Sequence, residues 1–284
     1  MQAFDTSILL LLNGLARESW TFDAFVMLVA ETALLKDGVL VALLWWAWER
    51  GGEGRFAPSI VRTLAGALTA VAAARALQNW LPARPRPLHD PALAEAGFVL
   101  PYDVPSDVLH NWSSFPSDHA VLAFALATAL FLAHRGVGAF AYAWALLVTC
   151  SPRVYVGFHY PSDIAGGAAI GTAIMLAATR LPVPTRVGEA MARLLHARRG
   201  WAYAGLFLLT CQTATVFEDT RNLAGFARHA LAPLVKPRAG DAPAASPVHT
   251  VPAREEPART RVVVRDVPLS QAHRVHSGSA EASP

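Results

Sequence analysis

Apolar runs long enough to cross a bilayer recur along the first 217 residues, at roughly 24–48, 58–80, 117–133, 137–153, 161–179 and 201–217. A helix needs ~20 mostly apolar residues to span the hydrocarbon core. The chain therefore reads as a polytopic membrane protein whose core is built from helices packed in lipid. Composition agrees: 54% of the chain is hydrophobic and 16% charged, against about 25% charged in soluble domains. The predicted fold class is all-α, a polytopic membrane helical bundle with about six transmembrane helices. Residues 4–16 are apolar but short and carry Asp5 and Asn13, which predicts an interfacial helix. The predicted domains are this N-terminal helix (1–20), a transmembrane domain (21–220) and a tail (221–284).

Several classes are excluded. The start, Met1 to Arg17, lacks a basic segment and carries Asp5 early, unlike a cleavable signal peptide. The two cysteines, Cys150 and Cys211, both sit in apolar runs, which argues against a disulfide framework or a structural metal site. With a net charge of +3 and only two lysines, Lys36 and Lys236, the chain does not read as a nucleic-acid binder. From about residue 233 it turns to eight prolines with many Ala and Ser, the composition of a disordered tail. No internal repeat is visible.

Basic residues in short loops set orientation. Arg50, Arg55 and Arg62, then His134 and Arg135, then Arg180, Arg186, Arg193, Arg198 and Arg199 fall in alternate loops, which are therefore expected on the cytoplasmic side. The loop at 81–115 and the turn near 154–160 then face the other side. Six spans put the tail there as well, despite its arginines, since long segments translocate largely regardless of charge.

Three polar clusters interrupt the apolar chain on that predicted outer side. Arg84-Pro85-Arg86-Pro87 presents guanidiniums, whose planar fork matches phosphate oxygens, on a stiffened segment. A basic turn resting on lipid headgroups would use the same residues. Phe115-Pro116-Ser117-Asp118-His119 reads as a helix start. Such an N-terminus also attracts anions, and His119 there can exchange a proton with a bound phosphate ester. In the third cluster His159 and Asp163 are spaced i, i+4, so on one helical face they would meet. A carboxylate on one imidazole nitrogen leaves the other as a nucleophile. The competing reading is a Tyr-Pro-Ser-Asp turn that caps the next helix. Arg153 beside the pair favours an anion, although snorkelling to headgroups would also place it there.

These residues resemble the type 2 phosphatidic acid phosphatase superfamily, with its signature Lys-x6-Arg-Pro, Pro-Ser-Gly-His and Ser-Arg-x5-His-x3-Asp. Arg86-Pro87, Pro116-Ser117 with His119, and Arg153, His159 and Asp163 match it in order. The match covers roughly residues 1–180 in layout. Ser-Phe-Pro-Ser-Asp-His, the short first helix and the Asn-x6-Arg-Pro form look like the superfamily's bacterial undecaprenyl-diphosphate phosphatases. Asn79 replaces the first motif's lysine, Asp118 the second motif's glycine and Pro152 the third motif's serine, with Ser151 one residue earlier. Lys36 is a candidate for the missing cation, pairing with Glu31 or Asp37 being the alternative.

The resemblance implies that His159 attacks phosphorus with Asp163 orienting it. His119 then protonates the leaving oxygen and activates water. Arg86, Ser117, Asp118 (through its backbone) and Arg153 hold the phosphate. It implies no cofactor and no metal, and the spacings suggest none. The expected partners are a lipid phosphate substrate and membrane lipids, and the expected location is a bacterial inner membrane. Undecaprenyl diphosphate is the leading substrate. Phosphatidic acid, phosphatidylglycerophosphate, phosphotransfer to another acceptor, and a non-catalytic lipid binder or transporter are the alternatives.

Overall fold

The protein is described by a computed structural model covering residues 2–50, 53–105, 108–109, 112–197 and 199–216. The tail predicted at 221–284 lies outside the described residues. Among the described residues there is no strand. The chain runs α1 (Gln2–Asn13), α2 (Trp20–Glu31), α3 (Val39–Arg50), α4 (Glu53–Trp80), α5 (Pro91–Glu95), α6 (Asp118–Ala133), α7 (Arg135–Trp144), α8 (Ser151–Tyr155), α9 (Pro161–Arg180), α10 (Thr185–Ala197) and α11 (Arg199–Ala214). It is a polytopic membrane helical bundle, and each of the six apolar runs is mostly helical over its described residues. Among the described residues three stretches, Ala57–Trp80, Arg135–Tyr155 and Pro161–Arg180, are individually long and apolar enough to cross a membrane.

The bundle is organised around α6, which is apolar on every side and buried from Ala120 to Leu130 over most positions. An all-round apolar helix belongs at the centre of a bundle, and α3, α4, α7 and α9 surround it. In lipid the helices gain little from leaving an apolar solvent, so close packing of small residues holds them together. Gly171 of α9 shows how close: a Cβ there would lie 2.0 Å from the Val121 carbonyl oxygen of α6. This contact draws the N-terminal ends of α6 and α9 together, and the Ser117 N–H reaches the Asp163 carbonyl at 3.4 Å.

The run at 24–48 departs from a single straight helix. Thr32, after α2, is extended at φ −70 and ψ 107, and residues Leu34–Gly38 form a π-helical turn before α3. Breaks inside a membrane are tolerated where other groups take up the freed carbonyls. Here the Arg153 guanidinium donates to Ala30 O (3.0 Å), the Trp144 indole to Leu35 O (2.8 Å) and the Thr149 hydroxyl to Lys36 O (3.1 Å). A second π-helical segment, Ala145–Cys150, supplies Thr149 and packs against the first. Lys36 and Asp37 are buried at this junction.

α1 docks by its polar residues. Asp5 and Asn13 are 1% and 3% exposed. Asn13 donates to Val99 O (2.8 Å) and accepts from the Val99 N–H (2.8 Å), while Leu9 packs beside Val154 and Ile164.

Candidate active site

Asp163 is the hub of the arrangement. It occupies the third position of α9, where its carboxylate accepts the Tyr160 N–H at 2.8 Å and closes a capping box. The same carboxylate accepts from the Ser114 hydroxyl and, at 2.6 Å, from the Arg84 guanidinium. Arg84 also reaches Asp5 at 2.8 Å and the Ser162 hydroxyl at 2.8 Å. Asp5 in turn accepts the Ser162 N–H (2.8 Å) and hydroxyl (2.7 Å). Burial works against the charge of Arg84, but the carboxylates of Asp5 and Asp163 more than offset it and hold its pKa above the ordinary value.

His159 does not share a helical face with Asp163, because α9 begins only at Pro161. Gly157, at φ +80, turns the chain between α8 and α9 where a side chain would strike Phe98 and Leu88. The turn aims the fully buried imidazole at the 113–115 segment. Nδ1 lies 2.9 Å from the Ser114 carbonyl oxygen, whereas Asp163 stays 3.8 Å away. A carbonyl only accepts, so Nδ1 carries the hydrogen. Arg86 Nη1, which only donates, lies 3.4 Å from Nε2. Both neighbours therefore fix the same neutral tautomer, with the lone pair on Nε2. Burial, helped by Arg86 and Arg153 and opposed by Asp163, pushes the imidazole down to about 4.

Arg86 is 5% exposed and is held by carbonyls, Phe158 O at 2.8 Å, Trp112 O at 3.2 Å and Ser113 O at 3.3 Å. Burial and the neighbouring Arg153 lower its pKa to about 10, so it stays cationic at neutral pH. Two buried guanidiniums that repel each other form a site that an anion would stabilise.

At the start of α6, Ser117 is buried and its oxygen caps the Ala120 N–H. The His119 Nδ1 lies 3.0 Å from Asp118, and Arg75 of α4 holds the other Asp118 oxygen at 2.7 Å. A carboxylate at Nδ1 leaves Nε2 of His119 as the proton-exchanging atom. Arg75 also lies 4.9 Å over the Trp112 ring, and Gln78 ties α4 to Pro116 O at 2.8 Å. Arg153, 7% exposed, is within electrostatic range of Arg86, Asp118, His119 and His159. All seven residues expected at the site thus lie in one region.

Four further residues belong to it. Arg84 was visible only as part of the Arg-Pro-Arg-Pro cluster, and Asp5 only as a polar break in an apolar helix. Ser114 and Arg75 carried no signal. Of the residues at the departures, Asn79 is exposed at the end of α4, and Ser151 turns its hydroxyl back to Leu146 O (2.7 Å). Arg75, one turn before Asn79, is the α4 cation that reaches the cluster. Lys36 is within electrostatic range of His119 as well as Asp37. Among the described residues no group of three His, Cys, Asp or Glu side chains is placed to hold a metal.

Fold and site together define a class: a membrane helical bundle with a buried, cationic, histidine-bearing cluster of side chains at one end. Residues 60–186 match the PAP2 superfamily. Over 59 residues the chain is 42% identical to the "Bacitracin transport permease protein BcrC" of Bacillus licheniformis, covering 21% of this chain and 29% of that protein. Over 66 residues it is 36% identical to the "Undecaprenyl-diphosphatase BcrC" of Bacillus subtilis (strain 168), covering 22% and 32%. The matches thus span about a third of the length of these relatives. No solved structure matches the chain.

Proposed function

We propose that this protein is an integral-membrane phosphatase of lipid phosphates. It hydrolyses undecaprenyl (polyprenyl) diphosphate to the monophosphate and phosphate, for recycling of a carrier lipid in cell-envelope synthesis. The observation that carries the reading is His159: a neutral imidazole with its lone pair on Nε2, set beside two buried guanidiniums. Nε2 attacks phosphorus and the bond to the bridging oxygen breaks. Protonated His119 gives its proton to that oxygen, and Asp118 holds the resulting imidazole. His119 then takes a proton from water, which attacks the phosphohistidine and restores His159. Arg86 and Arg153 face the three equatorial oxygens, where charge spreads in the transition state. Basic residues at the other end of the bundle support a bacterial inner-membrane orientation with the reaction on the extracytoplasmic side.

Phosphate release by the purified protein tests this, with undecaprenyl diphosphate and phosphatidic acid offered side by side in detergent. Wild type releases phosphate preferentially from the diphosphate, and His159→Ala loses release while keeping its thermal transition. Activity retained in His159→Ala would overturn the nucleophile, and preference for the glycerolipid would overturn the substrate. The name of the Bacillus licheniformis relative favours a second reading, a permease or lipid binder that reuses the scaffold. A wild-type protein that binds polyprenyl diphosphate but releases no phosphate would select it.

A further inference from the structure

The opposite end of the bundle holds a second cationic cavity. It measures about 540 Å³ and is lined by Trp48 and Arg50 of α3, Arg62 and Thr63 of α4, and His134 and Thr179 at the far ends of α6 and α9. The helices α4, α6 and α9 carry Arg75, Asp118 and Asp163 at one end and this cavity at the other. Arg62 precedes Arg75 by 13 positions, which at 1.5 Å per residue is about 20 Å along the axis. The two sites are therefore separate.

Two donors here lack an acceptor among the described residues. Trp48 is 3% exposed, and its indole N–H is buried with no hydrogen-bond partner. The Nε–H of Arg62 is likewise buried without one. Leaving a buried donor unmet is costly, and more so for a charged group. Arg50 stands at the rim, 4.9 Å over the Trp46 ring, and the described lining contains no acid. This donor set calls for an anion.

Arg62 also borders a second space of about 350 Å³, an apolar groove between α4 and α9 lined by Val61, Ala65, Ile174, Ala177 and Leu181. A cationic pocket and an apolar groove that share one arginine fit a molecule with an anionic head and a hydrocarbon chain. We propose that this end of the bundle binds one anionic lipid, its phosphate received by Arg62 and the Trp48 indole and its chain lying in the groove between α4 and α9.

Native mass spectrometry of the full-length protein in detergent, titrated with phosphatidylglycerol, tests this. Wild type should hold one phosphatidylglycerol that phosphatidylcholine and inorganic phosphate do not displace. Arg62→Gln should bind it at least about tenfold more weakly, the loss of one charge-assisted hydrogen bond, whereas Arg86→Gln in the reaction pocket should bind it like wild type. Ala177→Trp fills the groove from an exposed position and should weaken binding even if Arg62→Gln folds poorly. Unchanged affinity in Ala177→Trp would overturn the proposal, as would equal loss in Arg86→Gln or full displacement by inorganic phosphate.

Discussion

Arg84→Gln removes the cation that joins two buried carboxylates. In the native arrangement Arg84 donates to Asp163 at 2.6 Å and to Asp5 at 2.8 Å, the carboxylates being 0% and 1% exposed and the arginine side chain 28% exposed. Breaking a buried pair by deleting one partner costs about 3–5 kcal/mol, because the other charge is left uncompensated. Partial exposure of Arg84 screens that figure, and Ser114, Tyr160 and Ser162 still donate to the two acids. A loss of about 2–3 kcal/mol of stability is therefore expected. Asp163 then loses the contact that fixes one of its oxygens, and turnover of the proposed lipid diphosphate should fall by about tenfold to a hundredfold, the equivalent of about 1.4–2.8 kcal/mol. The diagnostic arm is the double variant Arg84→Gln/Asp5→Asn. Once Arg84 is gone Asp5 is a liability, so neutralising it should restore about 1 kcal/mol or more of the lost stability, a non-additivity that double-mutant cycles resolve. Thermal melts in detergent and phosphate release measure both quantities. If Arg84→Gln melts and turns over within error of wild type, or the double variant is strictly additive, the bridge has no energetic role.

Two further outcomes follow from the geometry. The imidazole of His159 sits at about 4 when buried, below its ordinary 6.5, so the unfolded chain takes up a proton in that window and the folded chain does not. Stability should therefore fall as pH drops from about 6.5 to about 4, by up to about 3 kcal/mol, and His159→Gln should flatten this slope in melts run across the range. Gly171→Ala places a methyl group 2.0 Å from the Val121 carbonyl oxygen. It should cost about 1–3 kcal/mol or more and lower phosphate release by disturbing the Ser117–Asp163 contact, readable from paired melting and activity assays.

The sequence carried the bundle because apolar run length is a local property. It did not carry the break at Thr32, since the groups that make the break tolerable, Trp144, Thr149 and Arg153, lie more than a hundred residues downstream. The site divides the same way. Residues such as His119 and His159 announced themselves by chemistry and spacing. The partner at Nδ1 of His159 proved to be a backbone carbonyl, which has no sequence signature. The i, i+4 rule pointed to Asp163 and misjudged its geometry because it presumes helix at both positions. Arg84 and Asp5 meet across 79 residues, a separation at which no local pattern could have paired them.

The guanidinium of Arg153 bonds the Ala30 carbonyl at the broken first segment, lies 5.7 Å from the Phe158 ring centroid and adds its charge to the cationic cluster around His159. A substitution there is not a clean probe of anion affinity. It also releases a backbone carbonyl in the interior of the bundle, at a hinge already lacking regular helix. Arg153 variants should therefore be compared with changes at Thr149 and Trp144, which serve the same hinge without approaching the histidines. Only the excess defect in Arg153 belongs to the chemistry.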